Sequence, residues 1–224
     1  AQHDNLCGYI FKRSSPSCGM ERVKIYSETG QPLERGSGVY AATFMAAHPL
    51  LPCEEEGRLG DAVLRENFIT RVFAYHRWRQ LIATGLSAAK LIDFHTDHKY
   101  LIMAHSPAAY QRMGRLVAEA GRQPLTELEG RYAHALMGAL GERATRAQHV
   151  NVLQHLMGYV SKSLDSADRA ELVAVIGEYH QGIVPLIVPI TLLKHHFRRH
   201  PDPYIERQIY LTPHPRELML RNLL

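Results

Sequence analysis

A lone thiol set among hydroxyls is the residue grouping in this chain best suited to chemistry. Arg13-Ser14-Ser15-Pro16-Ser17-Cys18-Gly19 follows the apolar run Gly8-Tyr9-Ile10-Phe11, a pattern that predicts a strand delivering Cys18 into a tight polar turn. Pro16 fixes φ, Gly19 permits a left-handed or closely approached backbone, and the serines crowd the single sulfur. A sulfur in such a turn gains little from packing, so Cys18 is a candidate metal or cofactor ligand. Ser15 and Ser17 are then the hydroxyls able to orient a substrate or relay a proton, the competing role for both being to satisfy loop amides. The other two cysteines, Cys7 and Cys53, read as unpaired thiols of a reducing compartment. The alternative, a three-thiolate site made of Cys7, Cys18 and Cys53, has spacings that match no ferredoxin run.

Continued through Met20-Glu21-Arg22-Val23-Lys24-Ile25-Tyr26, the same stretch resembles the last third of the thiouracil desulfurase (TudS-like) family, with the likeness running from Gly8 to about Pro52. The resemblance implies that Cys18 is one of three cysteines holding a [4Fe–4S] cluster, and that Ser15 is the better match to the family's functional serine. It implies desulfuration of a thiolated pyrimidine or nucleotide, water replacing sulfur, and a Rossmann-like α/β fold. The family's other two cluster cysteines and its usual carboxylate lie upstream of this motif. The chain is therefore expected to be a fragment or processed form of a longer enzyme, its own cluster absent or incomplete. The competing class is a non-catalytic module that binds a nucleotide, a nucleic acid or a partner protein.

These residues need a scaffold, and the composition supports one. The chain has 224 residues, 46% of them hydrophobic, enough to bury a core. Its most apolar stretch, Ile183–Leu193, is broken by Pro185, Pro189 and Thr191, so no membrane span is expected. Polar first residues and scattered cysteines argue against a secretory leader or a disulfide framework, which makes the cytoplasm the expected compartment. Net charge is +4, but residues 1–60 carry −1 and the remainder +5.

The fold class expected is mixed and mainly α: a truncated Rossmann-like α/β part over residues 1–52, an acidic linker over 53–60 and an all-helical domain over 61–224. Gly8–Lys12 and Arg22–Tyr26 read as strands, Glu28–Gln31 as a turn and Val39–His48 as a helix. Beyond the linker, Asp61 caps a helix running to about Thr84, Ser87 begins the next, and Ser106-Pro107 opens a third to about Ala120. Thr126-Glu127-Leu128-Glu129 reads as a capping box, and a further helix spans Val150–Leu164. Asp165 or Ser166 caps a helix with a core stripe of Leu172, Val173, Ile176 and Tyr179. A short helix, Pro189–Arg199, precedes an extended tail.

Several stretches here, among them Leu64–Ile69, Phe94-His95-Thr96-Asp97-His98-Lys99, Met103–Pro107, Asn151–Gly158 and Pro201–Pro215, resemble the YbgA family from about Leu59 onward. That resemblance carries no assigned chemistry, so the domain is read from its residues. His95, His98 and His105 fall on one helical stripe and could chelate a metal, or could be interhelical hydrogen-bonded histidines. The basic run Lys194–His200, with Arg198 and Arg199, suits phosphate, so this surface and the histidine stripe are candidate substrate or phosphate contacts and a possible nucleic-acid surface. The competing explanation is that helix C-termini favour cations.

Overall fold

The computed structural model describes residues 5–13, 15–27 and 29–224, without side chains at 32–34. The chain is mainly helical, with a small parallel pair of strands near its start. It divides into two compact units, Ala1–Arg77 and Trp78–Leu224.

In the first unit β1 (Tyr9–Phe11) pairs in parallel with β4 (Cys53–Glu55), Tyr9 opposite Cys53 and Phe11 opposite Glu55. Parallel neighbours need a long crossover. Here it contains an antiparallel hairpin of β2 (Val23–Tyr26) and β3 (Pro32–Gly36), then α1 (Val39–Ala47). Phe11, Met20, Ala41, Phe44, Leu51 and Cys53 form the core. The Phe44 ring lies 4.4 Å from Tyr9 and 5.8 Å from Phe11, which ties α1 to the first strand.

The expected strands and α1 are present, and β3 is an addition. Within the acidic stretch 53–60, Cys53–Glu55 is a buried strand. Burial is possible because Glu54 Oε1 accepts hydrogen bonds from the Glu55 amide at 2.9 Å and from Arg58 Nε at 2.7 Å, so the charge is paired as it leaves water. Helix α2 (Ala62–Ala83) follows, with Asp61 Oδ1 accepting from the Val63 and Leu64 amides. The division between the units falls inside this helix.

The second unit is all helical: α3 (Ala88–His105), α4 (Pro107–Ala118), α5 (Leu125–Gly141), α6 (Arg146–Val160), α7 (Ser166–Gln181), α8 (Ile187–Arg199) and the short α9 (Pro203–Glu206). The unbroken buried run from Tyr100 to His105 makes α3 a central helix, and it packs against α4, α5 and α6. Ser87, Ser106 and Asp165 cap as expected, each side chain accepting an amide from the first turn.

Thr126 does not cap. Helix α5 already begins at Leu125, behind Pro124, and the capping box in this region is Thr145 with Gln148, at the start of α6. Val173 is 53% exposed while Leu172, Ile176 and Tyr179 are buried. Helix α8 starts two residues earlier than expected, with Pro189 in its first turn where a missing N–H costs nothing. The tail is not extended. It holds α9 and short 3-10 turns, buries Tyr210, and returns so that the Leu186 amide donates to Leu224 O at 3.0 Å. Among the described residues no helix is long and apolar enough to cross a membrane.

Candidate functional site

Where β1 ends, the backbone is pinned by Glu56. Its carboxylate accepts from the Arg13 amide at 3.2 Å and pairs with Lys12 Nζ at 2.8 Å. The Lys12 ammonium, and then the Arg13 amide, hold the Glu56 carboxyl below its usual range. The chain then enters the serine-rich turn. The Gly19 amide donates to Ser15 O at 2.8 Å, and the Cys18 amide donates to Ser15 Oγ at 3.2 Å. Ser15 thus anchors the turn as an acceptor and keeps its own proton to donate. Ser17 Oγ lies 3.5 Å from Cys18 Sγ. Cys18 is half-buried.

The first turn of α1 closes over these residues. The Ala41 amide donates to Ser17 O at 3.1 Å and the Gly38 amide to Gly19 O at 2.9 Å, while Ser37 Oγ donates to Met20 O at 2.7 Å. Two glycines make the fit possible. A Cβ on Gly19 would lie 2.5 Å from Val23 Cγ2 and 3.0 Å from Ser15 O, and one on Gly38 would lie 2.4 Å from the Ser17 carbonyl. Gly19 therefore serves close approach, not left-handed geometry. Gly38 had no role in the sequence reading, although the Gly36-Ser37-Gly38 run preceding a helix was the available signal.

Two tyrosines stand near this turn. Tyr9 and Tyr40 hydroxyls are 3.4 Å apart. The Tyr9 phenol is pushed up to about 12, first by its hydrogen bond to Tyr40 and then by burial. It stays a protonated donor. Cys53, facing the core from β4, is pushed up to about 11 by burial, against the opposing pull of Arg71. Such a thiol is neutral and poorly nucleophilic. Cys7 Sγ lies 3.5 Å from His76 Nδ1. Among the described residues no group of three or more His, Cys, Asp or Glu side chains is placed to hold a metal. Cys7, Cys18 and Cys53 are thus not gathered into a three-thiolate site.

The histidine stripe is engaged in packing. His95 Nδ1 meets the Tyr132 hydroxyl at 3.2 Å, His98 Nδ1 meets Phe94 O at 2.8 Å, and His105 Nδ1 meets Glu142 O at 2.7 Å. Among the described residues these three imidazoles are not grouped so as to hold a metal. Arg198 lines a cavity between α8 and the terminal segment. Arg199, also exposed, does not line it.

Burial alone pushes His95 down to about 4 from an ordinary 6.5. The folded protein keeps this imidazole neutral where the unfolded chain takes up a proton, so its share of stability is full above pH 6.5 and is lost as the pH falls toward 4. Urea titrations are expected to show that loss, on the order of 3 kcal/mol at full depression. His95→Gln should flatten the pH dependence, and an unchanged slope would contradict the assignment.

With this geometry established, the chain can be compared with known proteins. Residues 99–215, just over half of it, match the family described as a protein of unknown function, DUF1722. The uncharacterized protein YbgA of Escherichia coli (strain K12) is 32% identical over 158 residues, covering 70% of this chain and 94% of that protein. The chain belongs to the YbgA family. In this YbgA-family protein, residues 1–56 also match 2-thiouracil desulfurase, a stretch that includes β1, the Cys18 turn, the hairpin, α1 and β4. The segment ahead of the helical unit is thus desulfurase-like, as its motifs suggested. No solved structure matches.

Proposed function

We propose that the first unit of this YbgA-family chain supplies one corner of a desulfurase site acting on a thiolated pyrimidine or nucleotide, with Cys18 as one thiolate ligand of a [4Fe–4S] cluster. The reading is carried by the place of Cys18: inside the desulfurase-like segment, in a turn held by Ser15 and closed over by α1. A half-buried thiol in a turn whose backbone is held tightly by the close approach of Gly19 and Gly38 fits a ligand position of fixed geometry. One thiol cannot retain four irons, so the proposal requires the remaining thiolates from outside this chain.

When bound, such a cluster supplies a Lewis-acidic iron for the sulfur of the substrate. In the net reaction the thiocarbonyl carbon exchanges sulfur for the oxygen of water, and sulfur leaves as hydrogen sulfide. The chain's own residues hold and protonate. The positive end of α1 faces a turn in which a ligated thiolate would carry negative charge. Ser17 Oγ, 3.5 Å from Cys18 Sγ, would donate to that sulfur as a thiolate. Ser15, its oxygen already accepting from Cys18 N, retains a proton for transfer at the reacting centre. Tyr9 remains a neutral donor nearby. The helical unit is accessory in this reading.

Iron and acid-labile sulfide contents after anaerobic reconstitution test the ligand assignment. Residues 1–224 alone should not yield a stoichiometric cluster, and one that survives Cys18→Ala would overturn the proposal. Ser15→Ala, made in the longer polypeptide, is expected to keep the cluster and lower turnover of 2-thiouracil by about a hundredfold, the size of a lost proton-transfer group. Loss of cluster instead would assign Ser15 to loop architecture, and near-normal turnover would remove it from the chemistry.

A further inference from the structure

Within the helical unit, α8 and the chain's last segment enclose a cavity of about 710 Å³, the size range of small-molecule sites. Lys194 and Arg198 enter it from α8, Arg216 and Arg221 from the final segment, and Glu206 is the one carboxylate among its lining residues. Arg207 also borders it, but its guanidinium is committed to Asp93 and Asp97. Among the described residues no carboxylate forms an ion pair with Lys194, Arg198 or Arg216. The remaining wall is apolar, with Ile187, Ile190 and Phe197 on one side and Met219 on another.

Attraction of cations to a helix C-terminus explains Arg198. It does not explain Arg216 and Arg221, which come from a different segment. Arg221 is 5% exposed and fixed in place, donating to Tyr210 O at 2.7 Å with its guanidinium 4.9 Å from the centre of the Tyr210 ring. Lys194 Nζ donates to Thr212 Oγ1 at 3.1 Å. Burial, and then the neighbouring Arg216, Arg221 and Arg198 charges, lower the pKa of Lys194. The fold thus holds like charges against one another around a cavity. That arrangement is unfavourable by itself and becomes favourable when a multiply charged anion enters.

We propose that this cavity binds a small organic phosphate carrying an aromatic or heteroaromatic ring, its phosphate received by Lys194, Arg216 and Arg221 and its ring lying on the accessible apolar lining of Ile187 and Met219. A monocarboxylate would compensate one cation and leave the others repelling. Inorganic phosphate would leave the apolar wall uncovered. The inference goes beyond the desulfurase reading and uses none of its residues.

Calorimetric titration of the 224-residue chain with uridine 5′-monophosphate, uridine, inorganic phosphate and a short single-stranded RNA provides the test. The monophosphate should bind at least about tenfold more tightly than uridine or inorganic phosphate, because each lacks one of the two contacts. Lys194→Gln combined with Arg216→Gln should weaken it by at least about tenfold without lowering the unfolding midpoint, because both residues are exposed and the substitutions relieve repulsion between like charges. Arg199→Gln, outside the cavity, should leave binding unchanged. Arg221 is avoided because its hydrogen bond to Tyr210 O makes it part of the fold. Equal affinity for uridine, indifference to the double substitution, or no binding of the monophosphate at millimolar concentration would overturn the proposal. So would RNA binding that the monophosphate does not displace, since the cations would then serve a polymer backbone.

Discussion

Cys18→Ser, made in the longer polypeptide that the proposal requires, is expected to abolish sulfide release from 2-thiouracil and to lower cluster content, whereas Cys7→Ala and Cys53→Ala leave both unchanged. A serine hydroxyl matches the thiol in shape and lacks the soft sulfur that iron–sulfur ligation needs. The other two cysteines are ruled apart by position. Cys53 lies in the core, its thiol pushed up to about 11 by burial, so it stays protonated where a ligand must be a thiolate. Cys7 precedes β1 and meets His76. Truncating Cys53 should remove some packing without reaching the turn, about 1 kcal/mol by the usual scale for a small buried side chain. The measurements are sulfide release and iron content on the three variants side by side. Retained turnover in Cys18→Ser, or lost turnover in a well-folded Cys53→Ala, would sink the assignment.

Gly38→Ala should be nearly as damaging, although no functional group is lost. At φ −62° and ψ 149° the backbone would accept alanine, so the obstacle is purely one of space. The new methyl would sit 2.4 Å from the Ser17 carbonyl and 2.9 Å from Cys18 N. Backbone on both sides prevents a cheap escape. Either α1 retreats and loses the Gly38–Gly19 and Ala41–Ser17 hydrogen bonds, or the turn shifts and carries Cys18 with it. Overpacking of this kind costs about 1–3 kcal/mol, and a displacement of roughly 1 Å at a reacting centre lowers turnover about a hundredfold. Gly114→Ala is the control: it lies within α4 with nothing within 4 Å of an added Cβ, and should stabilise slightly through helix propensity. If Gly38→Ala folds and turns over normally, the close approach of α1 to the Cys18 turn is not a functional constraint.

What could be read in advance follows the range of the interactions involved. Caps at Ser87, Ser106 and Asp165 are formed by atoms a few residues apart, so residue type at the right offset was enough. The match at the Cys18 turn was legible because proline, glycine and serine act through their own backbone. The strand at Cys53–Glu55 was not. Its glutamates and short length suggest an acidic linker, and only pairing with β1 some forty residues earlier, with Arg58 neutralising Glu54, makes burial favourable.

The same division separates the candidate sites. Spacing alone placed His95, His98 and His105 on one face of α3, where His98 meets the Phe94 carbonyl one turn earlier, yet the roles of the other two depended on what stood opposite: Tyr132 for His95 and the Glu142 carbonyl for His105. Gly38 and Ser17 are far apart in the chain, and the contact that forbids a side chain exists only once α1 has packed. In the helical unit the basic run on α8 was visible as a string of charges. Its meeting with Arg216 and Arg221 around one cavity was decided by the return of the terminal segment. The sequence by itself determined the ligand-type turn, the order of helices and the placing of the positive charge. Tertiary structure decided which of those residues share a space, because charge repulsion, burial and steric exclusion act between atoms that the chain's order leaves far apart.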